Sequence, residues 1–187
     1  MFWVLFPLAM AALVFGIVVF NDLVGLRNRA RGAWADIDVQ LKRRHDLVEN
    51  LVETVKGYAA HERSTLEEVV RLRGEAERAR TAGGPAESGR AESLLGARLP
   101  GLFALAEAYP DLKASDRFLD LQKALVQVED DLQNARRYYN AVVRDLNTRI
   151  QSFPQLAVAR AFGFTERDFF ELETAAEAAA PRVDLDP

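Results

Sequence analysis

His45 and Glu49 stand four residues apart, the spacing at which two metal ligands share one helix face and also the spacing of two ordinary surface side chains. A di-iron bundle needs Glu-x-x-His on two helices, whereas His61, the other histidine, has Tyr58 three residues before it. The pair therefore reads as structural, and neither a metal nor another cofactor is expected. Arg44 is a stronger signal, because it interrupts an apolar stripe, where an unpaired guanidinium is costly. It must find a carboxylate or several carbonyls, and Asp36, Asp38, Glu49 or an acid on another helix could serve. Glu129-Asp130-Asp131 sets acids side by side, but neighbours on a helix point in different directions and usually decorate a solvated face. Zero cysteines removes disulfides, thiolate metal sites and cysteine nucleophiles. No Gly-rich phosphate loop, nucleophile elbow or serine beside a histidine is present, so no enzymatic activity is expected.

Tyr138-Tyr139-Asn140 carries information of another kind. Tyr139 continues an apolar stripe, which places its hydroxyl in a buried hydrogen-bond network; Tyr138 and Asn140 lie off it, as ordinary surface or as a partner-binding patch.

Helices must position all of these groups. Trp34, Ile37, Leu41, Val48, Leu51, Val55, Tyr58 and Val69 recur in steps that predict one long helix from Ala33 to about Arg80, with Gly57 as a kink. Arg44, Glu62 and Thr65 break that stripe, so a bundle with polar contacts is preferred to an uninterrupted coiled-coil seam. Residues 80–89 collect glycine, proline and serine and predict a mobile loop. A second helix follows from Ala91 to Tyr109, kinked at Pro100 and stopped at Pro110. A third, capped by Ser115 or Asp116, carries Phe118, Leu121, Leu125, Val128, Leu132, Ala135, Tyr139, Val142, Leu146 and Ile150 on its core face. Phe153-Pro154 closes it, a short helix covers Leu156 to Ala161, and Thr165-Glu166-Arg167-Asp168 predicts a capping box opening a last helix through Ala179.

From Met1 to Phe20 there is no charged side chain, and at about 1.5 Å per residue that run spans roughly 30 Å, the thickness of a bilayer hydrocarbon core. A cleaved signal peptide needs a basic start and a small-x-small site, and Met1-Phe2-Trp3 and Ile17-Val18-Val19-Phe20-Asn21 offer neither, so an uncleaved anchor is expected. Arg27, Arg29, Arg31, Lys42, Arg43 and Arg44 follow the span, which puts the N-terminus outside and the C-terminal side in the cytoplasm. The 187 residues, 49% of them hydrophobic, suffice for one domain plus this segment, and a net charge of −4 argues against a nucleic-acid partner.

The stretch from Ala33-Trp34-Ala35-Asp36-Ile37 through Gln40-Leu41-Lys42-Arg43-Arg44-His45-Asp46 to Val55-Lys56-Gly57-Tyr58 resembles the signature of the LemA family. Ala106-Glu107-Ala108-Tyr109-Pro110-Asp111-Leu112-Lys113, Ala135-Arg136-Arg137-Tyr138-Tyr139-Asn140, Asn147-Thr148-Arg149-Ile150, Phe153-Pro154 and Phe162-Gly163-Phe164 extend the resemblance over nearly the whole chain. It implies a bacterial inner-membrane protein with a short outer N-terminus and a helical-bundle domain, and it brings no catalytic residues to carry over.

The fold expected is thus all-α: a single N-terminal transmembrane helix followed by an antiparallel helical bundle with one long first helix. Residues 1–21 form the anchor, 22–180 the bundle and 181–187 a flexible acidic tail. A helix from Ala33 to Arg80 would extend about 70 Å against about 30 Å for the helix that retraces it, leaving Trp34, Ile37 and Leu41 on an uncovered stalk unless a later helix descends. The expected function is a protein-interaction or membrane-organising scaffold. Its partners would be the lipid bilayer, an unidentified membrane or cytoplasmic protein, and a second copy of the chain. Trp34, Arg44, His45, Tyr138, Tyr139 and Asn140 are the candidate interaction or polar-network residues. The alternative is a small-molecule or metal-dependent activity in a polar pocket around Arg44, His45 and Tyr139.

Overall fold

The computed structural model describes residues 2–59 and 61–172, and among these every regular element is a helix. They are α1 (Phe2–Tyr58), α2 (Arg63–Ala82), α3 (Pro85–Ala108), α4 (Pro110–Lys113), α5 (Asp116–Gln151) and α6 (Gln155–Ala161). The chain divides into two compact units, one of Met1–Ile37 with Ala135–Phe169 and one of Asp38–Asn134 with Phe170–Pro187.

In the first unit the beginning of α1 is apolar and exposed, from Leu5 and Phe6 to Ile17 and Val18. α1 is long and apolar enough there to cross a membrane. Burial starts at Val19 and continues through Leu23, Leu26, Ala30, Ala33 and Ile37, in steps of three and four along one face. α5 runs antiparallel to it: Asp22 pairs with Arg149 at 2.9 Å, and the rings of Trp34 and Tyr139 lie 5.5 Å apart. After α6 the chain turns at Gly163 (φ +68°), the left-handed position of a Schellman ending. The amide of Phe164 donates to the Ala159 carbonyl at 2.9 Å and that of Gly163 to the Arg160 carbonyl at 3.4 Å.

In the second unit α1 and α2 form an antiparallel hairpin, with Asp38 paired to Arg80, His45 to Glu77 and Glu49 to Arg73. Val48, Leu51 and Val55 of α1, Leu66, Val69 and Leu72 of α2, Leu95, Leu99 and Leu102 of α3, and Phe118 and Leu125 of α5 share one core. Each such side chain contributes about 1.5–3 kcal/mol by leaving water.

Several expected boundaries move. The helix from Ala33 to Arg80 is two helices, α1 ending at Tyr58 and α2 opening at Arg63, because burying Leu66, Val69 and Leu72 against α1 outweighs local helix continuation. Glu62, read as a break in a stripe, is the N-cap residue of α2. The uncovered stalk is overturned as well: Ile37 and Leu41 have no exposed surface, and Trp34 is half-buried against Tyr139. The loop at 80–89 shrinks to Gly83-Gly84, since Pro85 opens α3 at its first turn, where a missing N–H costs nothing. Thr165–Leu172 is not helical: the expected last helix does not start at the Thr165 capping box, and its remaining positions lie outside the described residues, as does the tail at 181–187.

Candidate functional site

The second unit holds its buried charges in one connected cluster. α1 sets Arg44 on its core face, in the rhythm Ile37, Leu41, Arg44, Val48, Leu51, and His45 beside it; the two residues are only 3% and 2% exposed. α3 answers with Glu92, fully buried and in phase with Leu95, Leu99, Leu102 and Ala106. Arg44 Nη1 donates to Glu92 Oε2 at 2.8 Å, and Arg44 Nε lies 2.7 Å from Glu129 Oε1 of α5 as an ion pair whose angles fall outside hydrogen-bond geometry. Gly96 makes room for the guanidinium, since a Cβ there would come within 2.9 Å of Arg44 Nη2.

His45 faces carboxylates on both sides, with Nδ1 2.7 Å from Glu77 Oε2 and Nε2 2.6 Å from Glu92 Oε1. Only the imidazolium can donate in both directions at once. Burial by itself pushes its pKa down, but hydrogen bonding and charge from Glu92, then from Glu77, outweigh this and raise it above 6.5. The Arg80 hydrogen bond, reinforced by His45 against the opposing effect of burial, lowers the Glu77 carboxyl to about 2. Burial raises the Glu129 carboxyl; Arg44 opposes that shift, and Glu92 and Asp130 add to it. Arg80 reaches Asp38 Oδ1 at 2.6 Å, and Arg73 Nε donates to the His45 carbonyl at 3.0 Å. The result is an alternating run of charge, Asp38–Arg80–Glu77–His45–Glu92–Arg44–Glu129, that ties α1, α2, α3 and α5 together.

A cavity of about 330 Å³ opens beside this run, walled by Leu99, Pro100, Phe103, Leu125 and Leu172, with Arg44, Glu92 and Glu129 at its polar side. The first unit has a separate polar arrangement. The Tyr139 hydroxyl donates to the Asp168 carbonyl at 2.9 Å, and burial raises its pKa above 10.0. The Asn147 side chain donates to the Arg167 carbonyl and accepts from the Arg167 amide, both at 2.9 Å, as a neighbouring strand would.

Of the residues singled out by sequence, Arg44 and His45 come together in the second unit, and Trp34 and Tyr139 in the first. A single pocket around Arg44, His45 and Tyr139 does not form within either unit: Tyr139 lines neither the cavity nor the charged run. Tyr138 is 54% exposed and Asn140 is half-buried. Of the acids offered for Arg44 within α1, Asp38 pairs with Arg80 and Glu49 with Arg73, and the guanidinium is met by Glu92 and Glu129 of other helices instead. His45 does not pair with Glu49, and Glu129 turns inward from its acidic run. Glu77, Glu92 and Asn147 were missed as site residues. Glu92 was the readable one, since it fills a core step of α3 just as Arg44 does on α1.

The LemA family profile matches residues 33–185. Magnetosome protein MamQ 2 of Paramagnetospirillum magneticum and magnetosome protein MamQ of Magnetospirillum gryphiswaldense are each 26% identical over 182 residues, covering 84% of this chain and 66% of their own. The chain therefore spans just under two thirds of the MamQ proteins. Protein LemA of Metamycoplasma hominis is 26% identical over 170 residues, covering 89% of this chain and 73% of its own. The profile match takes in Trp34, the Arg44–His45 pair, Glu92 and Tyr138-Tyr139-Asn140, and the chain belongs to the LemA family.

Proposed function

We propose that this chain is a single-pass membrane protein whose helical domain, residues 22–180, serves as a protein-interaction or membrane-organising scaffold on the cytoplasmic side of a bacterial inner membrane. The observation that carries the reading is the continuity of α1. One unbroken helix bears exposed Leu5, Leu8, Leu13 and Val18 at one end and the ion-paired Arg44 and His45 further along. Exposed apolar residues on all sides of a helix fit lipid rather than water. Arg27, Arg29, Arg31, Lys42 and Arg43 after the span support a cytoplasmic domain by the positive-inside rule. Relatives that carry a magnetosome name support the membrane reading. Glutamates occupy Arg44 and His45, which supports a structural role for them over catalysis.

Photo-crosslinkers at the exposed positions Val39, Leu94 and Tyr138, used in native membranes, test the scaffold reading. It stands if one protein is captured reproducibly at one position and a charged substitution at a neighbouring surface residue abolishes the adduct. Absence of any adduct above background at all three positions rejects it. The cavity beside Arg44 favours a second reading, a small-molecule site in the second unit. Arg44→Lys in a folded domain that keeps the cellular function would count against that.

A further inference from the structure

The corner between α5 and α6 exposes large aromatic surface where the apolar part of α1 ends. Phe20 is the last residue of the apolar run, and its ring lies 4.8 Å from that of Phe162 and 5.8 Å from that of Phe164. Val18 is exposed and Val19 buried, so packing on α1 begins just there. α5 descends along α1 to the same level, with Arg149 on Asp22, and four residues later Phe153 stands 86% exposed. Phe162 is 63% exposed even though it meets Phe20 edge-on.

From Ile150 to Phe164 the sole charged side chain is Arg160, in a chain that carries 28 acidic residues. The outward side of α6 is Ala157, Arg160 and Ala161. A water-facing corner would carry mixed charge. Exposed phenylalanines, small residues and one long cation are what the bilayer interface accepts, with the arginine reaching to headgroups.

We infer that the α5–α6 corner is a second membrane contact, with Phe153 and Phe162 seated in the interfacial layer of the same bilayer that α1 crosses. The inference rests on the spanning reading of α1. Its occupant is lipid rather than a second protein because the corner is continuous with the span: Phe162 touches Phe20, and Phe20 closes the apolar run. The contact would fix α5 at the membrane surface and limit how far α1 can tilt or rotate.

Because the chain has no cysteine, single-cysteine variants report one position each. Phe153→Cys, Phe162→Cys, Leu8→Cys and Lys123→Cys carry a nitroxide label in full-length protein reconstituted into phosphatidylcholine–phosphatidylglycerol vesicles. Accessibility to oxygen is compared with accessibility to a water-soluble nickel chelate. The expected result is an oxygen-to-nickel ratio at 153 and 162 several-fold above that at exposed Lys123, and below that at Leu8. If 153 and 162 match 123 while Leu8 keeps its high ratio, the corner inference is overturned and the span stands. If Leu8 also matches 123, the spanning reading fails and takes the inference with it.

Discussion

His45 Nε2 lies 2.6 Å from Glu92 Oε1, and the other oxygen of Glu92 receives Arg44 Nη1 at 2.8 Å, so one fully buried carboxylate is shared by two neighbouring cations of α1. Glu92 is the hinge of the charge pattern: without it two buried positive groups face each other's field with only Glu77 and Glu129, both partly exposed, to compensate.

Glu92→Ala should therefore destabilise the domain by about 3–5 kcal/mol, the range for breaking one partner out of a buried ion pair. Lys113→Ala, which removes an exposed pair with Glu107, should cost less than about 1 kcal/mol. Urea unfolding of the full chain in detergent compares the two directly. Equal losses would show that the Arg44–Glu92–His45 cluster carries no special weight.

The same cluster sets a pH profile. His45 has a folded pKa raised above 6.5, so its contribution is fully present below 6.5 and is lost as pH rises through the raised value. Glu77 is lowered from 4.5 to about 2, so its contribution is present above 4.5 and is lost as pH falls toward 2. Glu129, raised by burial, contributes fully below 4.5 and loses that contribution as pH rises through its raised value, which tilts the profile toward its acid end. The urea midpoint should be greatest between 4.5 and 6.5 and fall on both sides. In His45→Gln the alkaline fall should shrink; an unchanged alkaline limb would assign it to other groups.

Legibility in the sequence followed the chemistry of each element. α5 was clear because its Phe118-to-Ile150 stripe runs without a break, and the apolar start of α1 was clear because Met1 to Phe20 carries no charged side chain. The α1–α2 hairpin was hidden because no proline marks its turn. Val69 also continues the phase of Val55, so two helices on one core look like one longer stripe. Thr165-Glu166-Arg167-Asp168 carries a helix-start pattern, but Asn147 and Tyr139 capture the backbone of Arg167 and Asp168 in a non-helical form, a tertiary effect no local pattern reports. Arg44 was legible as a buried cation that needed a carboxylate or several carbonyls. Which acid it takes depends on α3 and α5 packing against α1, and only the matching phase of Glu92 hinted at it.

Gly89 gives a steric prediction. A Cβ at this buried position would collide with the Glu171 carbonyl oxygen, a backbone atom that a rotamer change cannot move aside. Gly89→Ala should cost about 1–3 kcal/mol and loosen the segment around Phe170 and Leu172. Faster hydrogen exchange at residues 170–172, with α5 amides unchanged, is the expected signature. Protection equal to that of the parent chain would mean that the segment adjusts freely.

Tyr139 and Asn147 hold the Arg167–Asp168 segment of the first unit by different bonds, and their substitutions should separate. Tyr139→Phe keeps the ring against Trp34 and removes the hydroxyl's bond to the Asp168 carbonyl and its interaction with the Arg167 side chain, for a loss of about 1–2 kcal/mol. Asn147→Ala removes both bonds to the Arg167 backbone and leaves that amide without its acceptor, so its loss should be the larger. Hydrogen exchange should quicken at the Arg167 amide in Asn147→Ala and stay near the parent rate in Tyr139→Phe. Were both variants to release Arg167 equally, the segment would open as one cooperative piece, and Tyr139 would count as part of the Asn147 clamp rather than as a separate contact.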